Sequence, residues 1–409
     1  MASMIAWIDH DELQRQQLRE FVAAFREQGA VDELGMGRIR DALSDRLFPG
    51  TSVLWRRARY LLFVPWVYLL LEAGGGGRGD PEVRARRLWK ALAAQLNERA
   101  GASQGVIGAS GADVRQTPDV ILWAALDAWD LRRDPGRLAQ VRAEAVARSR
   151  RRRELEDDET DDRATWHPRV ALLMPDGFPE GAHFDLTAAE AELLGDLALA
   201  EDAGLAGSDA SRRKDSLLAL MVRDGSFEDV DVPWQMPHAN ASPELASIVD
   251  HAGCFSDLIQ GARLLYAWLA ADSRGETTLQ ADIERAVAES WALTTSVGRL
   301  AQLQAWFADL DAFEVSIRMI NPNISATELR FVRCWGRVAL EDPAGILASS
   351  SARELVINRE HQVKGAKRAR LRLDGTIGRD ASAAEPQQLV FRWFQASSIA
   401  RDIRRTAQR

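Results

Sequence analysis

Residues 60–71 read Tyr-Leu-Leu-Phe-Val-Pro-Trp-Val-Tyr-Leu-Leu-Leu, twelve in succession without a charge, directly after Arg56, Arg57 and Arg59. The run has neither a polar face nor a strict alternation, so it fits an element enclosed by protein on all sides. Twelve residues are too few to cross the roughly 30 Å of a bilayer's hydrocarbon. The expectation is a fully buried helix, bent at Pro65 where the ring removes a hydrogen bond.

Helical periodicity recurs along the chain and sets the expected class as mainly α, with at most a few short strands. From Asp11 to Glu27, Leu13, Leu18, Phe21, Val22 and Phe25 recur at helical spacing, and Gly29 ends the segment. A second helix is expected to reach Leu47, closed by Phe48-Pro49-Gly50. Asp80-Pro81 forms an N-cap and first-turn pair for a helix to about Arg99, and another is expected over 119–130. Thr187 and Glu190 stand at the spacing of a capping box, in which each side chain satisfies the other's backbone amide, for a helix to about Ala200. Further helices are expected near 211–222, 243–271, 278–293, 295–310 and 325–340. Short strands fit only around Leu371–Leu373 and Leu389–Phe394.

The charge is unevenly spread. Residues 1–153 carry 25 Lys/Arg against 19 Asp/Glu, residues 154–352 carry 14 against 35, and residues 353–409 carry 13 against 6. Arg150–Arg153 abut an acidic run from Glu154 to Asp162 with a single apolar residue, Leu155, a composition that buries little surface. This predicts a basic helical domain over 1–147, a charged linker over 148–165, and a helical domain over 166–409 with an acidic middle and a basic tail at 353–409. Either the basic ends close on the acidic middle, or they face a polyanion or an acidic partner.

Two cysteines, Cys254 and Cys334, exclude a disulfide framework, and residues 1–9 lack the basic start of a secretory signal, so a cytoplasmic protein is expected. No Gly-Lys-Ser/Thr follows the glycines at 74–77, 105 and 108, and no dinucleotide fingerprint is present. His251 and Cys254 are the one pair at metal-ligand spacing, and a structural zinc needs four ligands, so no metal or cofactor is expected. His251 with Ser256 lacks the nucleophile elbow of a serine hydrolase.

Candidate contacts with nucleic acid or a partner are therefore basic. They are Arg38, Arg40, Arg56, Arg57 and Arg59 near the N-terminus, the last three beside Trp55, and Arg359, Lys364, Lys367 and Arg368 near the C-terminus. Arg359, Glu360, His361 and Lys364 also form a candidate polar cluster, the alternative being simple pairing of Glu360 with Lys364 one helical turn apart.

Several strings extend beyond composition: Asp32-Glu-Leu-Gly-x-Gly-x-Ile-Arg-Asp41, Leu47-Phe-Pro-Gly-Thr51, Arg57-Ala-Arg-Tyr60, Gly105-Val-Ile-Gly108, the stretch from His251 to Tyr266 with Gly261-Ala262, Arg359-Glu-His-x-x-Lys-Gly365 and Phe391-Arg-Trp393. In these the chain resembles, from end to end, an uncharacterised bacterial family of about this length labelled only as a domain of unknown function. The resemblance implies a gene context of helicases and phospholipase-D-like nucleases in defence islands, and it implies no catalytic residues. The expectation is an accessory or structural component of an antiphage-defence or DNA-processing assembly, with DNA or RNA, or helicase and nuclease subunits, as partners and no membrane. The alternative is a nuclease or hydrolase whose site lies between the domains.

Overall fold

Five helix starts in this chain are fixed by hydroxyl side chains whose oxygens accept from otherwise orphaned amides. Thr187 and Glu190 form the expected capping box, Ser325 and Glu328 form a second, and Ser216, Ser242 and Ser349 each accept from the amide three residues on. The computed structural model describes residues 33–100, 105–107, 117–133, 136–154, 165–201, 210–291, 297–365, 367–371 and 386–407. The expected helix over 11–27, the acidic half of the linker at 155–164, and residues 372–373 of the expected first strand lie outside them.

Among the described residues there are sixteen α-helices. They are α1 (Gly37–Leu47), α2 (Tyr60–Glu72), α3 (Pro81–Ala100), α4 (Pro118–Ala128), α5 (Leu138–Glu154), α6 (Pro168–Leu172), α7 (Ala188–Leu199) and α8 (Ala210–Lys214). Then follow α9 (Leu217–Asp224), α10 (Pro243–Asp272), α11 (Thr277–Ala286), α12 (Val297–Ala308), α13 (Leu310–Ile320), α14 (Ala326–Glu341), α15 (Ser350–Lys364) and α16 (Trp393–Ala407). The helix expected over 211–222 is two, because Ser216 caps a new start after Arg213 is drawn inward.

Two helices sit at the centres of the packing. Around α2, which is buried from Tyr60 to Tyr68 as its all-apolar run requires, lie α3, α4, α5 and α6. Its polar atoms are all engaged: Trp66 Nε1 donates to the Val170 carbonyl at 2.9 Å, Tyr68 donates to Asp119 at 2.9 Å, and the Tyr60 hydroxyl accepts from the Ile107 amide at 2.8 Å. Phe63 stacks on Phe178, and Tyr60 packs on Phe184. The packing around α2 therefore takes in residues 166–184, which the charge blocks place with the later part of the chain. An isolated antiparallel bridge between Arg132 and Trp166 ties the same segment back to the end of α4.

The second centre is α10, thirty residues long, with neighbours α1, α11, α12, α14 and α15. Helix α16 packs on α7 and α9, and α1 also meets α13.

The strand expected at Leu389–Phe394 does not form. Its backbone is claimed by side chains of α10: Ser256 donates to the Leu389 carbonyl at 2.9 Å, Gln260 to that of Pro386 at 2.8 Å, and Arg263 to that of Gln387. Phe391 and Arg392 then take positive φ values of 51° and 66°, which turn the chain into α16 and cannot continue a strand.

No helix among the described residues is long and apolar enough to cross a membrane.

Candidate functional site

Three pairs of the strings singled out in the sequence meet in space. The first pair joins Glu33-Leu34-Gly35 to the C-terminal part of α15. Glu360 is fully buried, and its carboxylate accepts from the Tyr266 hydroxyl at 2.9 Å, Lys364 Nζ at 2.9 Å, the Arg370 amide at 3.0 Å and the Leu371 amide at 2.8 Å. Glu33 pairs with Lys364, lies 3.2 Å from the Arg370 guanidinium, and stands 3.0 Å from the Tyr266 hydroxyl, whose one hydrogen the two carboxylates share. The phenol is pushed well above its ordinary range, first by burial and then by the Glu360 charge. Burial, and then the charge of Arg370, lower Lys364 to about 8.

Arg359 and His361 flank this network without joining it. The Arg359 guanidinium, whose residue is 4% exposed, donates to the carbonyls of Leu34 at 2.8 Å, Gly35 at 3.3 Å and Thr327 at 3.4 Å. Gly35 has φ +63°, and a Cβ there would stand 2.7 Å from Val363 and 3.1 Å from Arg359, so only glycine allows this approach. His361 Nε2 is 2.6 Å from the Leu371 carbonyl, an acceptor, so that nitrogen carries the hydrogen. Of the candidate cluster, Glu360 and Lys364 do share a site, in the intrahelical pairing that their spacing offers. The remaining members are carbonyl clamps.

The second pair joins the end of α1 to the start of α16. Arg392 donates to Asp45 at 2.6 Å and to the Thr51 carbonyl at 2.7 Å, and Phe48 packs on Trp393. Gly50 has φ +70°, and a Cβ there would fall 2.5 Å from the Trp129 indole. The third pair joins Arg57-Ala-Arg-Tyr60 to Gly105-Val-Ile107 through the Tyr60 hydroxyl, with Arg56 half-buried against Gly105.

The candidate polyanion contacts divide accordingly. Arg57 pairs with Asp402 at 2.9 Å and lies over the Phe184 ring, and Arg59 pairs with Glu190 at 2.8 Å. Trp55 is 2% exposed. Arg57 and Arg59 thus spend their charge on ion pairs inside the protein, away from any polyanion, and Arg359 is buried likewise. Arg40 pairs with Asp41 at 2.9 Å. Arg38 is exposed, donating to the Asn323 carbonyl and to Glu328. Lys367 and Arg368 are exposed as well.

His251 and Ser256 do not meet. The His251 Nδ1 accepts from Trp306 Nε1 at 2.9 Å, while Ser256 is committed to Leu389. Burial pushes the Cys254 thiol up to about 11, which keeps it protonated. Among the described residues no three His, Cys, Asp or Glu side chains converge as a metal site would require.

A concave site lies instead beside Pro49–Ser52. This cleft, of about 530 Å³, is framed by the end of α1, the face of α4 carrying Ile121, Ala124, Ala125 and Ala128, Arg212 of α8, Glu244 and Ile248 of α10, and Ser316, Met319 and Ile320 of α13. Arg46 forms one wall, 6% exposed and bonded to Asp215 at 2.8 Å and to Glu244 at 3.2 Å. Asp215 also accepts from Ser242, the cap of α10, so the wall is anchored to the central helix. The sequence reading missed Arg46 and Arg212. The signal for Arg212 was present: Arg212-Arg213-Lys214 is a run of three cations in a block holding only 14.

The model of a family of unknown function (DUF6361) matches residues 2–405, and the chain belongs to that family. No curated protein and no solved structure matches it.

Proposed function

We propose that this family member is an accessory component that acts by binding, within a multi-protein antiphage-defence or DNA-processing assembly, and that it holds a protein partner at the cleft beside Pro49–Ser52. The observation carrying this reading is the exposure of large apolar side chains on the segments framing the cleft. Leu54 is 51% exposed, Val120 44%, Val315 60% and Met319 74%. Val315 and Met319 stand one turn apart on α13, so they share a face. Of these only Met319 lines the cleft itself, and an exposed apolar side chain in the wall of a concavity is the kind of surface that a partner covers.

A nuclease or hydrolase centred on Arg359, Glu360 and Lys364 finds less support, because Glu360 is buried and its oxygens already accept four hydrogen bonds. Contact with DNA or RNA keeps a narrower basis in Lys367 and Arg368, both exposed beside the partly exposed Arg370.

The test is co-purification of the full chain with the helicase and nuclease products of neighbouring genes, at low and high salt. The expected result is retention of a partner at high salt by the wild-type chain and its loss from Met319→Asp, with folding unchanged. A monodisperse protein that ignores both these partners and DNA overturns the reading, and retention on DNA that fades with salt transfers it to the basic segments.

A further inference from the structure

The polar groups of the cleft divide into those engaged in internal bonds and those left over. Its two carboxylates are each held by an arginine, Asp45 by Arg392 at 2.6 Å and Glu244 by Arg46 at 3.2 Å. Its donors are less committed. Arg212 is exposed and has no ion-pair partner among the described residues. Trp55 lines the cleft, yet its buried indole N–H has no acceptor. Asn321 accepts at Oδ1 from the Asn323 amide at 3.0 Å, which leaves its NH2 group to donate. What the cleft lacks is an anionic acceptor, since a buried donor left without one costs about 1–3 kcal/mol. Beside these donors Ile121, Ile248 and Met319 offer an apolar wall.

Size narrows the occupant. A helix about 10–12 Å across with a 5.4 Å pitch fills roughly 500 Å³ per turn. The cleft of about 530 Å³ therefore takes a single turn or a few extended residues, which suits the end of a chain better than the flank of a long helix.

We infer that the cleft binds the C-terminus of a partner polypeptide, its free carboxylate meeting Arg212 with the Trp55 and Asn321 donors and its apolar last side chain packing on Ile121, Ile248 and Met319. This rests on the partner-binding reading above and gives that partner a chemistry. Capture of a terminal carboxylate by N–H donors is an established mode of peptide recognition.

The experiment measures fluorescence anisotropy of N-terminally labelled Gly-Ser-Ala-Leu-Leu against the full-length chain, as the free acid and as the C-terminal amide. The acid is expected to bind and the amide to bind at least about tenfold more weakly, matching the loss of one charge-assisted hydrogen bond. Arg212→Ala should weaken the acid by about the same factor and leave the amide unchanged. Arg212 is a surface residue, so this variant folds. Trp55→Phe, which keeps the ring and removes the donor, should weaken the acid several-fold. Equal binding of acid and amide, indifference to Arg212→Ala, or no binding of either peptide overturns the inference. A peptide carrying an internal glutamate and an amidated end that binds better than the free acid also overturns it, in favour of a side-chain carboxylate. If these arms fail while Met319→Asp still releases the co-purified partner, the partner-binding reading stands and only the terminal carboxylate falls. If Met319→Asp releases nothing, the broader reading falls.

Discussion

Arg59 meets Glu190 at 2.8 Å with both side chains sealed from solvent, and the same glutamate closes the capping box of α7 by accepting from the Thr187 amide at 2.8 Å. One carboxylate thus fixes a helix start and neutralises a cation at the foot of α2. Removing one partner of a buried ion pair leaves the other charged and unsolvated. Glu190→Gln is expected to lower stability by about 3–5 kcal/mol in urea unfolding. A loss below about 1 kcal/mol would show that the pair is solvated in solution.

Gly50 sits between a positive φ and the Trp129 indole, so a methyl group there meets both a backbone penalty and a collision at 2.5 Å. Gly50→Ala is expected to cost about 2–4 kcal/mol, because the ring belongs to a fully buried tryptophan that has no room to retreat. Gly177, also at positive φ but with no atom near its missing Cβ, is the control, and Gly177→Ala should cost only about 1–2 kcal/mol. Equal losses at the two sites would mean that backbone conformation alone decides.

Arg359 reaches three main-chain carbonyls on two segments, Leu34-Gly35 and Thr327, which a planar fork of donors does and an ammonium does not. Arg359→Lys keeps the charge and should still destabilise the chain by about 2–3 kcal/mol, since at least two buried carbonyls lose their donors. Hydrogen exchange would place the loosening at residues 34–37, where Leu34 and Gly35 lose their anchor. Unchanged protection there would refute the clamp.

His251 accepts a hydrogen bond at Nδ1 from Trp306, and burial, opposed by Asp250 and Asp309, holds its pKa below the ordinary 6.5. The unfolded chain therefore takes up a proton near pH 6.5 that the folded chain refuses. Stability contributed by this residue is present above pH 6.5 and falls as the pH drops from there toward the folded pKa, by up to about 1.4 kcal/mol per unit. His251→Gln, which keeps an acceptor without a titrating group, is expected to flatten the stability curve between pH 7 and pH 5 relative to the wild type. A parallel slope in the variant would assign the acid sensitivity elsewhere.

Much of the local structure was legible along the chain. The capping box at Thr187, the Pro81 start of α3, the buried run at 60–71 and the mainly α class all follow from side chains acting within a turn or two of themselves. Helix α16 was not legible as such, because Leu389–Phe394 ahead of it has the apolar content of a strand. Only the α10 side chains that take its carbonyls, and the left-handed turn at Phe391 and Arg392, make it a lead-in to a helix. The charged residues were legible as types but not in their roles, since Arg57, Arg59 and Arg359 read from the chain as a cationic surface.

The sequence by itself determined where capped helices such as α3 and α7 begin, which runs must be enclosed, and which strings mark the family, because capping, periodicity and desolvation operate on neighbouring residues. It also determined that the charge is segregated. Tertiary structure decided where that charge goes. It joined Arg46 to Asp215 and Glu244, Arg59 to Glu190, and Lys364 to Glu33 across more than a hundred residues of chain in every case. It left Arg212, whose charge no ion pair among the described residues neutralises, at the mouth of a cleft assembled from five helices. An ion pair depends on distance and burial through space, and neither quantity is written in the order of the residues.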